Sequence, residues 1–314
     1  MANEAVPYST THVRPEAVRR ERTLKTVLRA LIYALMILIV FWTIFPIVFT
    51  LVSSIKTSRV IFEDLRSFNA FLPTEFTLEN YYGVFERVPF QRFLVNSTII
   101  ATTTVIFSIF VNSMAAFSLA RLRWRGRKIV MTIIIALLII PFEAIAIPLL
   151  VVVNELPWLQ ISFDGGIQFQ LSQSWLNSLH VQIIPFIADS FTIFLFYQAI
   201  LDIPKEFDES ALVDGATPLR IYWSIILPLI RPTIATVAIL QFLVRWNDYL
   251  WPVVAVPGEQ ARPLTVGIAS FYTQTPEWGQ ILAYAAMITI PVLIVFLLFQ
   301  KWFVQSVASS GVKG

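Results

Sequence analysis

The sequence has no cysteine and only two histidines, His12 and His180, among its 314 residues. Without cysteine there is no disulfide, no thiol nucleophile and no thiolate metal site. Charge is scarce as well, at 14% of residues, where a soluble domain carries about a quarter. Glycine numbers 10, and the only adjacent pair, Gly165-Gly166, is followed by no Lys-Ser or Lys-Thr. The chain therefore lacks the GxxxxGK[ST] loop that cradles nucleotide phosphates. It also lacks HExxH, GxSxG and any carboxylate pair at helical spacing within an apolar run.

What the chain has in excess is apolar sequence, 57% of residues. A bilayer core about 30 Å thick needs roughly 20 apolar residues in a helix. Six stretches meet that length, near Ala30–Val52, Phe93–Leu119, Ile129–Val153, Val181–Leu201, Ile221–Val244 and Ile281–Val304. The fold expected is an all-α polytopic membrane protein with six transmembrane helices. The fourth stretch has Pro185 and Asp189 near its start, so a re-entrant segment is the alternative there. The N-terminus does not read as a cleavable signal: its polar stretch is long and the apolar run after it exceeds a signal core.

Basic residues set the expected orientation. Arg14, Arg19, Arg20, Arg22, Lys25 and Arg29 precede the first run, and Arg121, Arg123, Arg125, Arg127 and Lys128 follow the second. Residues 154–180 contain no Lys or Arg. The positive-inside rule places both termini and the second and fourth loops in the cytoplasm. The first external loop is mixed in charge and weakens the bias without reversing it. Residues 1–25 read as a polar, disordered tail, with 1–28 as the cytoplasmic segment and 29–314 as the membrane domain. In the loop 154–180, apolar and polar residues alternate around Asp164-Gly165-Gly166, the pattern of a β-hairpin. That hairpin is either a surface flap or a docking element for an external partner.

The loop 203–228 between the fourth and fifth runs stands apart. Pro204 suits a first helical position, and Glu206, Asp208 and Glu209 fall where a helix dipole favours anions. Phe207, Ala211 and Leu212 recur at helical spacing, and Gly215 stands where a left-handed stop belongs. The result is a short amphipathic helix, unstable alone, whose apolar face edged with carboxylates suits a partner protein.

Glu209-Ser210-Ala211, then Gly215, then Ile225, Leu227 and Pro228 resemble the EAA motif of permease subunits in binding-protein-dependent ABC importers, with Ser210 where the family has Ala. Asp214 lies inside the same stretch. Phe41 to Pro46, Trp246 to Pro252, Leu264 to Gly267 and Gly311 to Gly314 are similar to the carbohydrate, MalG-type branch. The resemblance implies a type I importer fold and a heteromeric importer in the cell inner (cytoplasmic) membrane. Its partners would be a second homologous permease, two ATP-binding subunits, an extracytoplasmic sugar-binding protein and a sugar; no nucleic acid is involved. This chain would hold no cofactor, with ATP and Mg in the partner ATPase. The acidic helix would dock in the ATPase, with Glu209 as the charge contact. The loop containing Pro257, Gly258, Glu259 and Gln260 resembles the one that reaches into the binding protein.

Polar residues within a span are costly and face a partner or a cavity. Span two is rich in them, including Asn96 and Asn112, and Gln241, Asn247 and Asp248 lie near the outer half of span five. All five are candidates for the sugar path, against plain helix packing. Two other readings compete. A membrane enzyme fits poorly, because His12 and His180 fall on opposite expected sides and no catalytic motif is present. An ion-coupled secondary transporter would need intramembrane coupling charges, and few are visible.

Overall fold

The computed structural model describes residues 15–162, 168–272 and 276–311. The helices are α1 (Pro15–Ser53), α2 (Ser58–Asp64), α3 (Glu79–Arg87), α4 (Phe90–Arg121), α5 (Arg127–Leu137) and α6 (Phe142–Asn154). Strands β1 (Trp158–Ser162) and β2 (Gln168–Ser172) follow. Then come α7 (His180–Ile183), α8 (Ser190–Leu201), α9 (Glu206–Val213), α10 (Pro218–Ile221), α11 (Leu227–Leu229), α12 (Arg231–Trp246), α13 (Leu250–Ala255), α14 (Leu264–Gly267) and α15 (Trp278–Gly311).

Three helices, within α1, α4 and α15, are long and apolar enough to cross a bilayer unbroken. Three further crossings are possible if bent helix pairs are each taken as one, and in each the sequence supplies the break. Between α5 and α6 the axis turns by 107°. Pro141 cannot donate a helical hydrogen bond and pushes Ile140 out of helical geometry, so the run Ile129–Val153 is not one straight rod. In the fourth, α7 passes through a tight turn at Ile184–Phe186 and the axis bends 40° before α8. Asp189 is extended there and caps α8 by accepting from the Thr192 amide. In the fifth, Pro218–Leu229 meets Arg231–Trp246 at 77°. Pro228 and Pro232 flank that joint, and a π-helical turn at Tyr222–Ile226 precedes it. The continuous run expected over Ile221–Val244 is thus two arms.

Helix α1 extends back to Pro15, so residues 15–25 are helical rather than disordered. The expected hairpin forms: β1 and β2 are antiparallel, with Trp158 opposite Ser172 and Ser162 opposite Gln168. Its turn at Asp164 lies outside the described residues.

Buried side chains gather in three clusters. One joins α3, α4, α12, α14 and α15 through Val84, Phe90, Phe93, Trp246, Leu264 and Tyr284. The second joins α4 and α8 to the segment 203–230 through Phe117, Phe196, Ile200, Tyr222 and Ile226. The third holds Val153, Val181, Trp251 and Ala261. Packing at the first is close enough to require glycine: a Cβ on Gly267 would lie 2.1 Å from the Tyr284 hydroxyl. That hydroxyl donates to the Leu264 carbonyl at 2.7 Å, and the Leu264 amide donates to Ser97 at 2.8 Å.

Candidate functional site

The segment 203–228 folds as a bracket on the end of α4. Arg121, the last residue of α4, places Nε 2.8 Å from Asp208 Oδ2. Its Nη2 donates to the Ile203 carbonyl at 2.6 Å. Both charged side chains are largely buried, 5% and 14% exposed, so one cation holds the entry and the first turn of α9 together. Burial pushes the Asp208 carboxyl above its ordinary range; Arg121 opposes this and Glu209 adds to it.

The other end of α9 closes as expected. Gly215 adopts φ +78°, its amide donates to Leu212, and the Ala216 amide reaches back to the Ala211 carbonyl at 2.9 Å. Thr217 then caps α10 by accepting from the Arg220 amide. Pro204 precedes the helix, which begins at Glu206 behind Lys205, rather than opening it. The expected apolar face also divides. Ala211 is buried in the second cluster, while Phe207, Leu212 and Val213 are 49%, 54% and 88% exposed. Glu209, Ser210, Asp214 and Gly215 are exposed with them, whereas Ile225 and Leu227 pack inward beside a half-buried Pro228. The motif thus has an inner set that fixes the bracket and an outer set that protrudes.

The loop 256–263 is built differently, by amides that hold its backbone. Asn177, at φ +57°, accepts from the Gly258 amide at 2.9 Å. Gln182 donates to the Ala261 carbonyl at 2.9 Å. Asn96 donates to the carbonyls of Gln260 and Arg262, each at 2.9 Å. Arg262 donates to the Pro257 carbonyl. Pro257, Glu259 and Gln260 remain exposed, and Gly258 is half-buried against Asn177.

Of the five path candidates, Asn96 and Asn112 are placed in packing. Asn96 is the loop clamp just described. Asn112 is fully buried: it donates to Ser108 and to the Ile187 carbonyl, and accepts from the Asp189 amide at 3.0 Å, satisfying backbone freed at the bend. Asn247 is exposed just past the end of α12 and donates to the Leu243 carbonyl in its last turn. Gln241 donates to Asp189 Oδ1 at 3.0 Å and to Thr192 at 2.7 Å. Asp248 pairs with Arg245 at 3.2 Å. Arg245 and Asp189 were not among the candidates, although Arg245 sits four residues after Gln241 and three before Asp248, a spacing that puts them on one side of the chain.

Residues 109–309 match the family described as "Binding-protein-dependent transport system inner membrane component". The chain is also 32% identical, over 246 residues, to the arabinooligosaccharides transport system permease protein AraQ of Halalkalibacterium halodurans, covering 78% of this chain and 82% of that one. It belongs to this family. The inner membrane component is likewise 31% identical to the probable starch degradation products transport system permease protein AmyC of Thermoanaerobacterium thermosulfurigenes, over 85% and 91% of the two chains. The trehalose/maltose transport system permease protein MalG of Thermococcus litoralis is 29% identical over 76% of this chain and 82% of its own length. In fold the component is similar to a chain of a bacterial ABC transporter involved in alginate import, with TM-score 0.72 and 23% identity, over 90% of this chain and 98% of that one. A permease subunit of an ABC transport system is a transport component, not an enzyme.

Proposed function

We propose that this chain is one of two membrane subunits of an ATP-driven importer that takes up a sugar handed over by an extracytoplasmic binding protein. In this reading the chain crosses the membrane six times, with both termini, residues 1–28 and the segment 203–228 in the cytoplasm. A second homologous permease completes the pore. Two ATP-binding subunits sit below and carry the ATP and Mg.

The observation that carries the reading is the split of α9. A short helix gripped by Arg121 and seated on Ala211 leaves Phe207, Leu212 and Val213 bare beside Glu209. Such a face is unfavourable in water and complete only against a partner. The ATPase would seat there, and its closure would move α9, the arm Pro218–Leu229 and the lower end of α4 together, through the shared cluster. Access to the pore would switch as the bent fourth and fifth crossings follow. The rigid outer loop at Glu259 and Gln260 would meet the binding protein on the other face.

The basic run after α4 lies at the α9 end of the molecule, and the hairpin and outer loop lie at the other, which supports this orientation. The test is co-purification of the complete importer with Glu209→Arg. Loss of the ATPase subunits, or of transport with assembly intact, is the result expected. An unchanged complex with unchanged uptake overturns the docking role.

A further inference from the structure

A cavity of about 310 Å³ opens between α8 and α12. Its polar lining is Asp189, Thr192, Gln241 and Arg245, and its mouth is ringed by apolar side chains including Phe191 and Val244, 48% and 53% exposed. Helix α8 runs twelve residues from Asp189 to the 203–228 bracket, about 18 Å at helical rise. That distance is past the middle of a bilayer core about 30 Å thick. Asp189 and Gln241, in contact at 3.0 Å, therefore lie near the midplane.

A carboxylate and a guanidinium at that depth do not face lipid; they face a protein partner or a water-filled path. On the import reading, the face bearing α8 and α12, where this cavity opens on the surface of the chain, is turned to the pore. The groups are also suited to a ligand. The Thr192 amide, the Thr192 hydroxyl and the Gln241 side-chain amide all donate to one oxygen of Asp189, Oδ1. Arg245 spreads over the Phe186 ring at 4.2 Å and pairs with Asp248, and its buried Nε has no hydrogen-bond partner among the described residues. An unmade bond from a buried donor is costly and is relieved by an acceptor. One guanidinium stands against two carboxyl groups, Asp189 and Asp248, so there is no surplus positive charge to hold an anion. A hydroxyl pair answers both needs, one accepting from Arg245 and the other donating to Asp189. The bend at Asp189 places this site at a broken helix, where transporter sites recur.

Resting on the import reading above, we infer that this cavity is a way-station for a neutral sugar on the transport path, with Arg245, Gln241 and Asp189 as its hydroxyl contacts. The experiment uses the complete importer in proteoliposomes with its binding protein. Labelled neutral pentose and hexose oligosaccharides and a uronate oligosaccharide serve as probes. Arg245→Gln is expected to raise the transport KM about tenfold or to reorder the neutral sugars, with affinity of the binding protein and assembly unchanged. Leu240→Trp fills the cavity from its apolar side without touching the polar contacts, and is expected to stop uptake while stimulated ATP hydrolysis persists. Wild-type KM and preference in Arg245→Gln, wild-type uptake in Leu240→Trp, or equal uptake of the uronate overturns the inference. So does loss of assembly in Leu240→Trp, which would make the groove a helix-packing interface. If the wild-type importer accumulates no sugar of any kind, the import reading fails instead.

Discussion

Arg121 and Asp208 meet at 2.8 Å, joining the last residue of a 32-residue helix to the first turn of an eight-residue one. Removing one partner of a largely buried pair leaves the other charge uncompensated, while the partly open setting of Asp208 reduces the cost. Arg121→Gln is expected to destabilise the bracket locally by roughly 1–3 kcal/mol. Hydrogen exchange over residues 203–215 should then accelerate while α15 exchanges as before.

The same pair sets a pH dependence. Burial raises the Asp208 carboxyl, so the fold favours its protonated form. Its contribution is fully present below the ordinary carboxylate value of about 4 and is lost as pH rises through the raised value. Arg121 works against the rise, so Arg121→Gln should enlarge it. In a pH series of exchange measurements, α9 of the variant should be best protected in acid and lose protection towards neutrality more steeply than wild type.

Asp64 behaves oppositely. Hydrogen bonds from Thr74 and then from the fully buried Lys56 hold its carboxyl below the ordinary range. Its contribution is present above the ordinary value and is lost as pH falls through the lowered one. Residues 55–75 should therefore become protease-sensitive only in strong acid. In Asp64→Asn they should be sensitive at neutral pH.

Two glycines should fail for different reasons. Gly215 has open space around it but φ +78°, so Gly215→Ala costs about 1–2 kcal/mol in backbone strain, and Gly215→Asn should cost less. Gly267 has ordinary dihedrals, yet a Cβ there would collide with Tyr284 and Phe93. Gly267→Ala should cost about 1–3 kcal/mol through overpacking, and the second change Tyr284→Phe should recover part of it. Thermal unfolding of the three single variants and the double variant separates the cases.

Asn96→Ala removes two hydrogen bonds and Gln182→Ala one to the backbone of the loop 256–263, worth about 1–2 kcal/mol apiece. A spin label at Glu259 should report a more mobile loop in both. Unchanged label mobility would show that the loop is held by other contacts.

Much of this architecture was legible in residue order. Long apolar runs gave α1, α4 and α15, because a span needs about 20 predominantly apolar residues whatever part of its surface is later buried. Gly215 and the acidic first turn marked both ends of α9, since those signals are local. Alternation over 161–171 gave the paired strands, which the structure extends to Trp158 and Ser172. The joints were harder: Pro141, Pro185 and Pro232 are visible in the sequence, but a proline can kink, cap or end a helix, and only packing decides which. Asn96 and Asn112 read either as packing or as path residues because polarity in a span has two uses, and what the structure adds is their long-range partners, such as Gln260 and Ile187. Arg245 escaped notice although Asp248 follows it by three residues, because its ring contact Phe186 and its cavity neighbour Asp189 lie far away in sequence.

Helix α4 contains no proline between Phe90 and Arg121 and spans about 48 Å. It is fastened at three heights: Asn96 to the loop 256–263, Asn112 to the bend at Asp189, and Arg121 to Asp208 of α9. A rod with three rivets has no independent ends. A shift of such a rod along its axis would carry all three rivets together, so the loop 256–263 and α9 would stay in step without a relay of soft contacts.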